Sequence, residues 1–215
     1  PTDIPDDTLS SPESTVTPEN PDYSKLNITP SNVQAVISAM ARPGEYYQET
    51  VSTLYHSSGS RTYPRKKWVH GALQRVDVIS ETNTVLMHIL YHNKDVYMWR
   101  AGSARYYKTS MGEFSPDNDQ MIMTYEEIAN LAPESITKAE YTVYNSIPCI
   151  YVESKSSENG YTSKYWIATD TGLLAFGQTL DRSGNVFYTV ESKQIAVTQQ
   201  DDSLFLLPNG SSVAQ

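Results

Sequence analysis

The sequence contains a single cysteine, Cys149, and no apolar run of the length that crosses a bilayer. One cysteine excludes an internal disulfide and any metal site built from several cysteines. A membrane-spanning helix needs about 18 consecutive apolar residues. Basic residues are also few, since 16 Lys and Arg stand against 25 Asp and Glu for a formal net charge of −9. This balance argues against nucleic acid as a partner and against a polybasic contact with anionic lipid heads.

Motifs of catalysis and cofactor binding are missing as well. The sequence has no nucleophile elbow, no phosphate-binding glycine loop and no metalloprotease helix. The four histidines are His56, His70, His88 and His92, and the last two would lie about 13 Å apart along one strand, too far to share a metal ion. A lone cysteine in a strand is typical of a small buried apolar residue. We therefore expect no catalytic residues, no metal and no cofactor.

The charged clusters have a simple interpretation. The carboxylate pairs fall in predicted loops or helix starts: Asp117/Asp119, Glu126/Glu127 and Asp201/Asp202. The basic cluster comprises Arg61, Arg65, Lys66 and Lys67. We interpret this cluster as an exposed edge or loop that resists strand pairing, with contact to an anionic polymer or lipid head as the alternative.

Residues 1–28 have the composition of a flexible tether. Five prolines punctuate a stretch rich in Ser, Thr, Asp and Glu, which cannot bury enough apolar surface to offset the entropy of ordering. The alternative is an ordinary ragged end. The chain begins at Pro1 and not at methionine, so we expect that an upstream segment has been removed.

Two short helices are predicted. Thr29-Pro30 is typical of a helix start, the apolar residues Val33, Val36, Ile37 and Met40 recur at helical spacing, and Pro43-Gly44 ends the pattern. A weaker helix is predicted at 125–131, before Pro133.

Most of the remaining chain has the patterning of antiparallel strands. We count eight to ten of them, joined by turns such as Asp170-Thr171-Gly172 and Arg182-Ser183-Gly184-Asn185. The prediction is an α+β fold in one domain, residues 29–208, followed by a disordered tail, 209–215. Accumulated twist would coil so long a meander into a strongly curved, half-open barrel with the helices on its concave side.

Aromatic, methionine and isoleucine side chains on the predicted strands are the candidates for an inward-facing wall: Trp68, Met87, Ile89, Met98, Trp166, Ile167 and Phe176. They could form an ordinary core. If the helix carrying Val33, Val36, Ile37 and Met40 plugs the concavity only in part, they would instead line a cavity for an apolar ligand.

Three stretches resemble the LolA/LolB-like superfamily of bacterial lipoprotein-sorting carriers, including its regulatory RseB-like and Gram-positive lipoprotein relatives. The first is the opening helix that runs into a long strand, 29–56, and the second is Leu73-Gln74-Arg75-Val76-Asp77-Val78 followed by a strand, a polar turn and a Tyr/Trp strand. The third joins the Asp170-Thr171-Gly172-Leu173 turn to the closing Ser203-Leu204-Phe205 motif before proline.

The resemblance implies a non-enzymatic, extracytoplasmic lipoprotein domain that binds a lipid, an acyl chain or a lipoprotein. It also implies a lipidated cysteine upstream of Pro1, at a Gram-positive cell surface, as the sole membrane contact. The alternative is a surface sensor or adaptor that binds another protein and has a packed interior. We expect a monomer in either case.

Overall fold

The computed structural model describes residues 20–112 and 123–214. They form eleven strands: β1 (Glu45–His56), β2 (Gly59–His70), β3 (Leu73–Ile79), β4 (Val85–His92), β5 (Asp95–Arg100), β6 (Tyr107–Ser110), β7 (Ile136–Tyr144), β8 (Ile147–Lys155), β9 (Thr162–Ala168), β10 (Leu174–Leu180) and β11 (Val186–Ala196). Two short α-helices, α1 (Val33–Ala39) and α2 (Tyr125–Ala129), accompany them, with 3-10 turns at Tyr23–Lys25, Pro133–Ser135 and Asp202–Phe205. No helix in the described ranges has the length and apolar character needed to cross a membrane.

All eleven strands belong to one antiparallel sheet in the order β6-β5-β4-β3-β2-β1-β11-β10-β9-β8-β7. Each half is a meander of hairpins, and the pairing of β1 with β11 joins the two halves. The sheet is not closed, because β6 and β7 are its edges. The predicted antiparallel sheet with few helices is confirmed. An open sheet of eleven strands is also consistent with the predicted curvature.

Strand boundaries differ from the prediction at two places. The residue pattern of 68–79 predicts one continuous strand, but a hairpin at Gly71-Ala72 divides it, and Gly71 there has a φ of +56° that few other residues adopt. The basic cluster was predicted to be an edge or loop, but it lies within β2, which pairs with β1 and β3. Lys67 lies where β2 has a neighbour on both sides and is buried, whereas Arg61, near the β1–β2 hairpin tip, is exposed.

The first helix begins later than predicted. Residues 30–32 form a turn, the Oδ1 of Asn32 accepts a hydrogen bond from the backbone N–H of Thr29 at 2.8 Å, and helical residues start at Val33. The second helix begins at Tyr125 as predicted, with the hydroxyl of Thr124 accepting the N–H of Glu126.

Residues 20–28 and 209–214, outside the predicted domain, make contacts with it. Residues 1–19 of the predicted tether lie outside the described residues, but the part from Asn20 onward packs on the domain, with Tyr23 only 4% exposed in the core. Beyond 208, the backbone N–H of Leu207 donates to the carbonyl of Ser211, and Val213 packs in a hydrophobic cluster. Residues on both sides of the predicted domain therefore pack on it, because a few apolar residues within polar stretches are enough to dock them.

The sheet has two faces, named here the helix face and the opposite face. On the helix face, Val33 and Ile37 of α1 and Ile128 of α2 pack on β7–β11 in the largest core cluster. On the opposite face, Phe205 and Leu207 from the C-terminal segment pack on Leu90, Tyr97 and Trp99 of β4 and β5.

Candidate functional site

The predicted wall residues do not lie on a single face. Register places Met87, Ile89, Met98 and Ile167 on the helix face, and Trp68, Trp166 and Phe176 on the opposite face. The grouping into one wall is therefore wrong in geometry: successive residues of a strand point to opposite faces, as Trp166 and Ile167 do.

The apolar residues that were predicted to plug the concavity pack together in one cluster. Val33, Ile37 and Met40 are buried, and Val36 packs against the same cluster, which also holds Ile167. They fill the helix face over β7–β11. They do not contribute to the cluster that contains Ile89.

That second cluster carries what we call the methionine wall, the partly buried residues Val78, Met87, Met98 and Met111. They lie over a buried base of Val76, Ile89, Tyr91 and Val96. The register aligns Val78 with Met87 and Ile89 with Met98 across three adjacent strands. In the described part of the chain, neither α1 nor α2 contributes a residue to this cluster, which lies beside the helix-covered half of the same face.

Between the two clusters lies a small cavity of about 30 Å³. Its lining combines polar side chains, such as Gln48, Lys67 and Ser192, with apolar ones, such as Val76 and Leu174. A space of this size holds about one water molecule and is far too small for an acyl chain.

The aromatic residues of the opposite face form a contiguous group on β7–β10. Trp166 lies 4.8 Å from Tyr151, 5.5 Å from Tyr144 and 5.3 Å from Phe176, measured between ring centroids. Ion pairs of Lys with Glu border the group, such as Lys138 with Glu140 at 2.6 Å.

A polar cluster on the opposite face holds the C-terminal segment. Arg75 pairs with Asp77 at 2.9 Å, donates to the carbonyl of Leu204 at 2.8 Å, and lies 2.7 Å from Nδ1 of His88. His88 also contacts Asp77 at 2.7 Å. These contacts bind the segment to β3 and engage Nδ1 of His88.

Cys149 lies in a buried environment that disfavours its ionisation. Burial raises the pKa of the Cys149 thiol to about 12, so the thiolate needed for nucleophilic attack is disfavoured at neutral pH. No group of three or more His, Cys, Asp or Glu in residues 20–112 and 123–214 could hold a metal ion. The Asp117/Asp119 pair lies outside the described residues.

Glu127 is the carboxyl group whose environment is most perturbed. Burial raises its pKa to about 7, although Oε2 accepts a hydrogen bond from the Tyr165 hydroxyl at 3.0 Å. Sequence reasoning missed this residue, because Glu126 and Glu127 are indistinguishable at a helix start until packing turns one of them inward.

The chain is similar to solved structures, but no match was found at the level of sequence. No protein-family model matches the chain, and no curated protein matches it. An uncharacterized conserved protein from Thermus thermophilus matches with a TM-score of 0.50 and 8% identity, over 86% of this chain and 93% of that one. MucB, known from Pseudomonas aeruginosa, matches with a TM-score of 0.50 and 11% identity.

The MucB match covers 80% of this chain and 60% of MucB, so the chain spans about three fifths of that protein. A LolA superfamily protein from Nitrosomonas europaea is also similar, with a TM-score of 0.37 and 7% identity, over 79% of this chain and 93% of that one. Likeness at these identities concerns the fold alone: the chain is similar in fold to the Thermus thermophilus protein and to MucB.

Proposed function

We propose that this chain is a non-catalytic binding domain that holds a hydrophobic ligand, such as a lipid or acyl chain, against the methionine wall. The observation that carries the proposal is the position of that wall: it lies on the helix face, and within residues 20–112 and 123–214 neither α1 nor α2 packs in its cluster. Thioether side chains are flexible and polarizable, so they adapt to apolar ligands of varied shape. Met87, Ile89 and Met98 of the predicted set belong here, whereas Ile167 is in the core beneath α1.

A second candidate is the sensor or adaptor that binds another protein. It is favoured by the filled interior beneath the helices, where the cavity between the two clusters is only about 30 Å³. Solved structures of MucB include its complex with MucA, which is a property of that protein. In this chain an adaptor would use the sheet edges and the aromatic group of the opposite face.

The ligand proposal predicts that glutamate at Met87 weakens ligand binding much more than glutamate at its neighbour Leu86 in β4. Glutamate in place of Met87 should weaken binding of cis-parinaric acid, a fluorescent fatty acid, at least tenfold, because a carboxylate would have to lose its water against an acyl chain. Fluorescence titration of the full chain measures the affinity. Met98→Glu, on the same face of β5, should have a similar effect.

Leu86→Glu is the matched control, because Leu86 is 53% exposed and points to the opposite face. Equal loss in Met87→Glu and Leu86→Glu would contradict the wall as the binding site. Absence of saturable binding to the unmodified chain would contradict the ligand proposal and favour the adaptor.

We further propose that the domain is extracytoplasmic and anchored through a lipidated cysteine upstream of Pro1, at a Gram-positive cell surface. Support comes from the acidic, proline-rich composition before Asn20 and from the resemblance in sequence. Metabolic labelling of the natural precursor with an alkyne fatty acid should give a labelled protein in the membrane fraction. Labelling that persists after the upstream cysteine is changed to alanine would contradict the anchor.

A further inference from the structure

A second concave site lies on the helix face, at the far end from the methionine wall. It is an open groove of about 390 Å³ between the α2–β7 connection and the β8–β9 hairpin. This volume is within the range of small-molecule sites. Nothing in the proposed hydrophobic function uses it.

The floor of the groove is a row of hydroxyl groups from three adjacent strands. Ser154 of β8 pairs with Ser163 of β9, and Ser163 pairs with Thr179 of β10. Because paired residues share a face, the three hydroxyls line up side by side across the sheet. This row lies next to the buried row that contains Val152 and Tyr165, two residues away along each strand. The polar groove therefore borders the apolar core.

Ser154 indicates that the floor is built for a ligand. Ser154 is 4% exposed and lines the groove. Its hydroxyl has no hydrogen-bond partner among the described residues. Thr179 uses its hydroxyl only in a weak contact with the sulfur of Met123 at 3.8 Å. Both hydroxyls face the groove with capacity to donate to and accept from a bound molecule.

The walls supply further uncharged polar groups and one aromatic ring. Asn130 lies on one side, Asn159 on the other, and Tyr161 is 37% exposed at the rim, with its ring 5.1 Å from that of Phe187. Among the described residues that line the groove, Glu158 is the only ionisable side chain apart from the Tyr161 phenol, and none is Lys or Arg. Arg182 lies beside the groove but donates to the Asn159 carbonyl, so the lining itself favours a neutral ligand over an anionic one.

We propose that this groove binds a neutral saccharide. Sugar hydroxyls both donate and accept hydrogen bonds, which matches a floor of serine and threonine and walls of asparagine. The exposed face of Tyr161 offers an apolar surface for the C–H face of a sugar ring. A peptide fits less well, because β8, β9 and β10 are interior strands here with no free edge, and Leu131 is the only large aliphatic side chain in the lining.

The test titrates the isotopically labelled full chain with N,N′,N″-triacetylchitotriose and with cellotriose, monitored by amide chemical shifts. At least one trisaccharide should give saturable shifts confined to residues 130–135, 154–163 and 179. The double variant Ser154→Ala/Thr179→Val should weaken that binding at least fivefold, which corresponds to about 1 kcal/mol. Tyr161→Ala, at the exposed rim, should weaken it without disturbing the packed floor.

Thr189→Val is the matched control, since Thr189 pairs with Gln178 on the other face of the same strands, and it should leave the affinity unchanged. Saturable shifts from neither trisaccharide would overturn the proposal. So would shifts that the floor variant does not weaken, shifts that glycerol reproduces at equal hydroxyl concentration, or tighter binding of inorganic phosphate in the groove.

Discussion

Replacing Arg42 by alanine is expected to lower the free energy of unfolding by about 3–4 kcal/mol, the largest effect we anticipate for a single side chain outside the apolar core. Arg42 follows α1, and its guanidinium donates to three carbonyl oxygens: Ile37 at 2.7 Å, Met40 at 3.0 Å and Gly172 at 3.2 Å. Its Cζ also lies 3.5 Å from the centre of the Tyr125 ring. One side chain thus connects the end of α1, the β9–β10 turn and the start of α2.

The expected loss is large because alanine would leave partly buried carbonyl groups without donors and remove the cation from an aromatic face. Arg42→Lys should lose roughly 2 kcal/mol, since an ammonium cannot reproduce the planar arrangement of donors. Urea unfolding followed by tryptophan fluorescence measures both values.

The matched control is Arg61→Ala, because Arg61 is exposed and its main contact is the Tyr63 ring at 5.5 Å. Its unfolding free energy should change by less than about 0.5 kcal/mol. Gly172→Ala probes the same contact from the other side: Gly172 has a φ of +66°, and an added Cβ would lie 2.9 Å from Cγ of Arg42. Stability of Arg42→Ala within about 1 kcal/mol of the parent would contradict this role.

Much of the sheet was predictable because turn chemistry and alternation are local signals. The β9–β10 and β10–β11 hairpins were predicted from glycines in their turns, and Gly172 and Gly184 do have positive φ values. The β2–β3 hairpin was missed because alternation continues through Gly71-Ala72, and one glycine is a weak mark against a long regular pattern.

Which side chains share a face was less predictable, because irregular pairing changes the parity along a strand. Leu174 and Phe176 are two residues apart and would share a face in a regular strand. The register shifts between them, so Leu174 joins the core under the helices whereas Phe176 joins the aromatic group on the opposite face. Alternation alone cannot reveal such a shift.

The groove shows a second limit of predicting a site from the sequence. Ser154, Ser163 and Thr179 come from three strands, and each is an ordinary strand residue in its own context. Their alignment depends on the registers of two hairpins at once, together with the connection after α2 that forms the facing wall. A site assembled from such long-range pairing leaves no motif in the sequence.

The Glu127 carboxyl should make the domain less stable as pH rises from about 4.5 to 7. Its pKa in the folded protein is about 7, above the ordinary value of 4.5, because burial disfavours the carboxylate. The folded state therefore binds this proton more tightly than the unfolded chain does. Stability from this group is complete below pH 4.5 and is lost as pH rises towards 7, by about 2–3 kcal/mol for a largely buried group.

Glu127→Gln should abolish this dependence, since glutamine stays neutral and its carbonyl can still accept the hydrogen bond from Tyr165. The variant should match the parent near pH 4.5 and exceed it by about 2–3 kcal/mol at pH 8, measured by urea unfolding at both values. Carboxyl groups whose pKa is lowered in the folded protein, such as Asp22 and Asp181, lose their contribution to stability only as the pH falls below their ordinary pKa. Their effect on stability and that of Glu127 therefore fall in separate pH ranges.

Glu134→Gln is the control, because Glu134 is exposed in the 3-10 turn that follows α2. It should leave the difference in stability between pH 4.5 and 8 as it is in the parent. If Glu127→Gln also leaves that difference unchanged, the carboxyl is not held in the buried environment between α2 and β9, and the packing of α2 on Tyr165 would have to be revised.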